Sequence, residues 1–123
     1  MDNNTWDFIG DKMKNINSGL LRFHDKSGKK AFEVRSIQPG HPSSVSFEIA
    51  ETDNPMKLIN YPASLIQKSA TGYLYQTGLI SGISQDHLLI MTISKASWFV
   101  RKGKGKESWF EEACVYEQLE TAN

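Results

Sequence analysis

The apolar positions of this chain follow a helical period at its start and a period of two further on. Within residues 1–18 they recur three or four residues apart, which predicts an amphipathic helix that packs on the rest of the domain. The Asn-Ser-Gly sequence at 17–19 predicts where this helix ends. The apolar residues of the helix are Trp6, Ile9, Met13 and Ile16.

Residues 20–101 alternate between apolar and polar positions in short runs, which predicts an antiparallel meander. The clearest strand is 45–49, and turn signals at 25–29 and 38–43 separate the first three strands. Glycines at 72, 78 and 82 punctuate the next part of the chain and indicate bends or bulges in a strongly curved sheet.

Three stretches of this region are harder to assign from their pattern. Residues 56–59 are apolar and predict a short strand. Residues 62–70 fit a short helix that begins at Pro62, and they fit a strand equally well. The strongest strand follows residue 85, and we expect a turn at Lys95-Ala96 before a further strand at 97–101.

The last part of the chain allows two interpretations. Ser108 and Glu111 have the spacing of a capping box, which predicts a C-terminal helix over 108–120. A closing barrel strand is the competing interpretation of the same residues. The fold class predicted is therefore mostly β (α+β), a single domain over 1–123: a curved antiparallel sheet or small barrel at 20–101 with a helix at each end.

Composition bounds the location and the kind of partner. The 123 residues are 39% hydrophobic and 23% charged with a net charge of zero, so no global field draws the chain to polyanions. The single cysteine, Cys114, excludes an intrachain disulfide and is expected to be a buried structural thiol on the C-terminal helix. The start of the chain lacks a signal-peptide pattern, and the longest apolar run, 88–91, is far shorter than the roughly 20 residues of a membrane span. We expect a cytoplasmic protein without a transmembrane segment.

The strongest candidate site is a basic, glycine-containing loop directly before the predicted C-terminal helix. Helix starts offer free N–H groups and a positive dipole end, and the glycines would let a ligand approach the backbone closely. The cations could then hold a phosphate or another anion, although the P-loop spacing is absent. The candidate residues are Arg101, Lys102, Lys104 and Lys106.

Signals for metal binding and catalysis are weak. The histidines, at 24, 41 and 87, have no metal-ligand spacing, and His24-Asp25 and Asp86-His87 are strand neighbours that point to opposite faces. No serine stands in a G-x-S-x-G elbow. The sequence therefore predicts no metal, no cofactor and no enzyme activity.

Aromatic residues in the predicted sheet offer a second candidate site. Tyr75 and Trp98, with their neighbours Tyr73 and Phe99, could line a ligand cavity inside a small barrel. Aromatic residues in such positions are more often part of an ordinary core.

The end of the chain resembles the end of pleckstrin-homology-like domains. The residues that carry the resemblance are Trp98-Phe99-Val100-Arg101, a short polar loop, and then Trp109-Phe110-Glu111-Glu112-Ala113. In those domains a last strand leads into a C-terminal helix whose Trp plugs the barrel. The resemblance implies a module that binds lipid headgroups or proteins. A lipocalin-like or fatty-acid-binding-like barrel is the alternative, in which residues 113–117 form the closing strand.

The function predicted is a non-enzymatic binding module that contacts a protein or an anionic, phosphate-bearing ligand through the basic loop. The alternative is a carrier of a small apolar ligand, or a small enzyme, with an interior cavity. A homodimer formed by an open sheet face is a third possibility. With zero net charge, we expect no specific nucleic-acid partner.

Overall fold

The fold is known from a computed structural model that describes residues 3–24, 31–41, 43–49 and 55–118, with side chains from Trp6 and, after the last gap, from Lys57. The predicted turn at 25–29 lies outside the described residues. The described residues form one α-helix, α1, two short 3-10 turns and seven strands. The strands are β1 (Ser18–Phe23), β2 (Ala31–Gly40), β3 (Ser44–Ile49), β4 (Pro62–Lys68), β5 (Gly72–Ile83), β6 (Leu89–Lys102) and β7 (Trp109–Glu117).

Six of the strands close into an antiparallel barrel. β1, β2 and β3 form one meander and β4, β5 and β6 form another. The two meanders are joined through the β1–β4 and β3–β6 pairings. The predicted fold class, a mostly β barrel-like sheet with an N-terminal helix, is therefore confirmed.

Strand β6 is long enough to pair with two strands along one edge. β3 pairs with its first part, from Leu89 to Thr92, and β7 pairs with its second part, from Lys95 to Lys102. The sheet splits at Ile93 and Ser94. The Ile93 N–H donates to the Ser43 carbonyl at 2.9 Å, and the Gln118 N–H donates to the Ser94 carbonyl at 2.8 Å. The prediction of a turn at 95–96 is wrong because β6 continues through these residues.

The glycines of β5 permit the curvature of the barrel, as the sequence predicts. The register of β5 against β6 shifts at Thr77/Gly78 and again at Ile80/Gly82. A Cβ atom at Gly78 would overlap the Thr92 carbonyl oxygen, so only glycine fits this bulge.

The C-terminal helix predicted over 108–120 is wrong, because 109–117 is strand β7. The competing prediction of a strand is correct, but β7 pairs only with β6 and lies outside the six-stranded barrel, so it does not close the barrel. The second part of β6 exposes N–H and C=O groups along one edge, and a strand satisfies them where a helix could not. The Glu111 carboxylate accepts a hydrogen bond from Trp109 Nε1 at 3.0 Å. Cys114 and Tyr116 pack against the core while Val115 is exposed, which is strand alternation.

The structure assigns the two short stretches at 56–59 and 62–70. The strand predicted at 56–59 is wrong, because Pro55–Leu58 is a 3-10 turn. The ambiguous stretch at 62–70 is strand β4, with Pro62 at its first position, where a proline is tolerated.

Helix α1 spans Asn3–Lys14 and confirms the predicted N-terminal helix. It packs on β2, β5, β6 and β7, and all four residues of its predicted apolar stripe are buried. Trp6 fixes the start of the helix to the sheet. Its Nε1 donates to the Gly40 carbonyl at 3.0 Å, and its ring lies 5.1 Å from the ring of Tyr116.

Two buried glutamines fix the end of α1 to the barrel interior. Gln67 Nε2 donates to the Ile16 carbonyl at 2.8 Å and to the Met13 carbonyl at 3.3 Å. Gln67 Oε1 in turn accepts from Gln76 Nε2 at 2.8 Å. Both side chains are fully buried, so Gln67 supplies hydrogen bonds that water cannot replace.

We predict that Gln67→Leu lowers the free energy of unfolding by about 1–3 kcal/mol, because it leaves buried carbonyls and the Gln76 amide without partners. Urea titration measures the change, and amide hydrogen exchange should show faster opening of α1. Gln67→Leu combined with Gln76→Leu should recover part of the loss, since no buried amide remains. Gln85→Leu, in an exposed turn, is the control and should change stability by less than about 0.5 kcal/mol. An unchanged α1 in Gln67→Leu would contradict this role.

Candidate functional site

The basic loop forms the turn of the β6–β7 hairpin, and we call residues 101–110 the hairpin tip. Gly103 and Gly105 have positive φ values of 81° and 57°, which favour glycine. A Cβ atom at Gly103 would also lie 2.5 Å from the Glu107 carbonyl oxygen. The turn therefore requires Gly103 and favours Gly105, without reference to a ligand.

The prediction that this loop lies at a helix N-terminus is wrong. The loop contains only the three-residue 3-10 turn Gly105–Glu107, and strand β7 follows it. A helix dipole therefore does not contribute to anion binding here. The phosphate hypothesis has to rest on side-chain charge.

All four candidate cations of the hairpin tip are exposed to solvent. Within residues 101–110 the sequence holds one carboxylate, that of Glu107, and Glu111 and Glu112 follow directly on β7. Arg101 Nη2 also reaches the Ser108 hydroxyl at 3.4 Å. The tip is therefore a local concentration of positive charge on a chain whose net charge is zero. The cations are Arg101, Lys102, Lys104 and Lys106.

Two large aromatic side chains accompany these cations. Trp109 is 52% exposed and Phe110 is 50% exposed. In the hairpin register, Trp109 lies opposite Lys102 and Phe110 lies opposite Arg101. Each face of the tip therefore carries a cation beside an aromatic ring.

An aromatic groove lies next to the tip on the outer face of β4, β5, β6 and β7. The Tyr73 and Phe99 rings stack at 4.7 Å with an interplanar angle of 15°, and the edge of Phe110 meets Tyr73 at 5.0 Å. The groove has a volume of about 610 Å³, which is the size of a small-molecule site. Its lining residues are Ile66, Lys68, Ser69, Gly72, Tyr73, Tyr75, Phe99 and Phe110.

The structure separates the two aromatic candidates. Tyr75 is 37% exposed and faces outward, where it lines the groove. Trp98 is 4% exposed and belongs to the core, with Lys12 Nζ 5.0 Å from its ring. The two residues therefore do not line one cavity, and the groove lies outside the barrel.

The sequence analysis missed Lys68, Ile66 and Phe110 as members of this surface. Ile66 lies in the stretch at 62–70, whose pattern fits a helix and a strand equally well. Phe110 lies where the sequence predicts a helix. Strand alternation in β4 and β7 would have placed them on the outer face, but the pairing of β4 with β5 follows only from the tertiary fold.

A polar chain links His24, Ser64 and Tyr75 on the same outer side. His24 Nε2 lies 2.5 Å from Ser64 Oγ, which lies 3.2 Å from the Tyr75 hydroxyl. Ser64 is buried and His24 is exposed. Among the described residues no hydrogen bond joins His24 to a carboxylate, so these three groups alone do not form a catalytic triad.

The remaining candidates are the cysteine thiol, metal ligands and a membrane-spanning helix. Cys114 is half-buried on β7 rather than on a helix, and burial raises the pKa of its thiol, which favours the neutral form. Within the described ranges no three His, Cys, Asp or Glu side chains cluster as metal ligands. The described residues also include no helix that is long and apolar enough to cross a bilayer.

Comparison with known proteins identifies no relative of this chain. No family model matches the sequence, and neither a curated protein nor a solved structure is significantly similar to it.

Proposed function

We propose that this protein is a non-enzymatic binding module whose hairpin tip contacts an anionic, phosphate-bearing lipid surface. The observation that supports this function is the presence of exposed cations and exposed aromatic rings on one protruding hairpin. Cations are attracted to acidic headgroups, and Trp is enriched at the interface between headgroups and acyl chains. A purely polar partner would explain the cations but not Trp109 and Phe110.

The expected strength of such contact is moderate. A cation near an acidic membrane contributes about 1 kcal/mol, and this attraction falls off within a Debye length of about 8 Å at physiological salt. Four cations at one tip therefore give a reversible, salt-sensitive attachment. The resemblance to pleckstrin-homology-like domains implies the same ligand class. However, it requires a C-terminal helix at the residues that form strand β7.

We predict that the triple variant Lys102→Glu, Lys104→Glu, Lys106→Glu abolishes binding to vesicles containing phosphatidylserine, because it reverses the charge of the tip. Vesicle co-sedimentation measures binding, and the wild-type protein should lose binding progressively as salt is raised. The matched control is Lys14→Glu, Arg22→Glu, Lys57→Glu, which makes the same change in net charge at exposed sites outside the tip. Equal loss in both triple variants would show a general charge effect and would contradict a site at the tip.

The second prediction concerns Trp109. Trp6 and Trp98 are 5% and 4% exposed, so a change in emission on binding reports mainly on Trp109. We expect a blue shift and reduced acrylamide quenching when acidic vesicles are added, because the indole leaves water. Trp109→Phe should remove the shift while the protein still co-sediments. Emission that stays unchanged on fully bound wild-type protein would rule out aromatic insertion.

Other partners remain as outcomes of these experiments. If the tip binds single-stranded nucleic acid or an acidic peptide at a salt concentration where vesicles do not bind, the lipid proposal is wrong although the site is correct. The Lys102, Lys104 and Lys106 variants distinguish these cases because each partner can be titrated against the same proteins.

A further inference from the structure

The outer face of β4, β5, β6 and β7 carries more apolar surface than a solvated sheet face requires. Outward positions of an antiparallel barrel are ordinarily polar. Here Tyr73, Tyr75, Phe99 and Phe110 surround an open groove, and Val115 is 38% exposed beside them. We call this surface the aromatic face. Aromatic side chains gathered on one outer face make it a candidate interaction surface.

The aromatic face is organised as two cross-strand rows whose members are direct register partners. Each row contains one residue from β4, β5, β6 and β7 in that order. The first row is Lys68, Tyr73, Phe99 and Glu112, and the second is Ile66, Tyr75, Ser97 and Val115.

The first row is complementary to itself. It begins with a cation, Lys68, and ends with a carboxylate, Glu112, with two aromatic rings between them. Rotation by 180° about an axis parallel to the strands and between β5 and β6 exchanges the two ends. A second copy placed by this rotation sets its Lys68 over Glu112 and its Glu112 over Lys68.

The second row obeys the same symmetry. The rotation places Ile66 of one copy over Val115 of the other, so that apolar side chains meet. It also places Tyr75 over Ser97, whose side chain is already buried within its own copy. One axis therefore pairs opposite charges in the first row and apolar ends in the second.

We propose that the aromatic face binds a second copy of this chain and forms a two-fold symmetric dimer. We infer a second copy as the partner from the charge pattern. A row with opposite charges at its two ends is complementary to the same row placed in the reverse direction. This proposal goes beyond the lipid-binding function, since the dimer forms without a membrane.

The geometry of the axis has a consequence for the hairpin tip. A rotation about an axis parallel to the strands leaves both tips at the same end of the dimer. If the tip binds an acidic surface, as proposed above, the dimer presents two tips to it at once. Linked sites of this kind bind more tightly than either site alone.

The test is a charge exchange between two residues that do not touch within one chain. Lys68 and Glu112 are three strand spacings apart, or roughly 14 Å at about 4.8 Å per spacing, so an effect of pairing them has to act between copies. Sedimentation equilibrium of the free protein measures the dimer dissociation constant. Lys68→Glu alone and Glu112→Lys alone should each weaken the dimer at least tenfold, because like charges then face each other.

Rescue distinguishes this contact from a loss of stability. The double variant Lys68→Glu, Glu112→Lys should restore the wild-type dissociation constant. A mixture of the two single variants should also form a heterodimer, since both of its charge pairs are then opposite. Val115→Lys, at an exposed position facing Ile66, should give a folded monomer that still binds acidic vesicles, but with reduced avidity.

Several results would overturn the proposal. One is a wild-type protein that stays monomeric at a concentration of several hundred micromolar. Another is a dimer that none of these substitutions affects, which would indicate pairing through the outer edge of β7. A third is a small molecule retained in the groove by native mass spectrometry, which would assign the aromatic face to a ligand. A monomer still carries one tip and binds vesicles, only with lower avidity, so the two proposals fail separately.

Discussion

The fold depends on the backbone hydrogen bonds along one edge of β6. That edge is divided between β3 and β7, and the division occurs at Ile93 and Ser94. The β3 pairing closes the six-stranded barrel, and the β7 pairing extends the sheet beyond it. The β7 pairing satisfies N–H and C=O groups of residues 95–102 that would otherwise bond water, and it holds residues 109–117 extended. The hairpin tip and the β7 part of the aromatic face both follow from this pairing.

Helix α1 completes the barrel by a mixture of apolar and polar contact. Its buried stripe supplies hydrophobic stabilisation, which has no preferred direction. The hydrogen bonds of Trp6 and Gln67 supply direction, because each fixes one end of the helix to a particular carbonyl or side chain. The burial of Gln67 is therefore explained as an attachment for the helix. Gln76 orients Gln67 through its amide, while its own Oε1 is buried without a hydrogen-bond partner among the described residues.

Charge and aromatic surface occur together at the β6–β7 hairpin although the chain as a whole is neutral. The tip holds four exposed cations beside Trp109 and Phe110, and the adjoining outer face holds stacked aromatic rings. Phe110 belongs to both surfaces because it lies opposite Arg101 and touches Tyr73. A partner at the tip and a partner on the aromatic face can therefore be bound by neighbouring parts of the same sheet.

The sequence by itself determined the elements whose patterns are local. The helical period of 6–16 and the alternation of 45–49 predicted α1 and β3 correctly, and the glycines at 78 and 82 predicted the bulges. The capping-box spacing at Ser108 and Glu111 predicted a helix, and this failed because the free edge of β6 is a long-range feature that no local pattern contains. The same reason separates Tyr75 from Trp98: the face of each side chain depends on strand register and bulges. Only the tertiary structure brought Lys68 and Glu112 into one row, since their strands meet through β5 and β6.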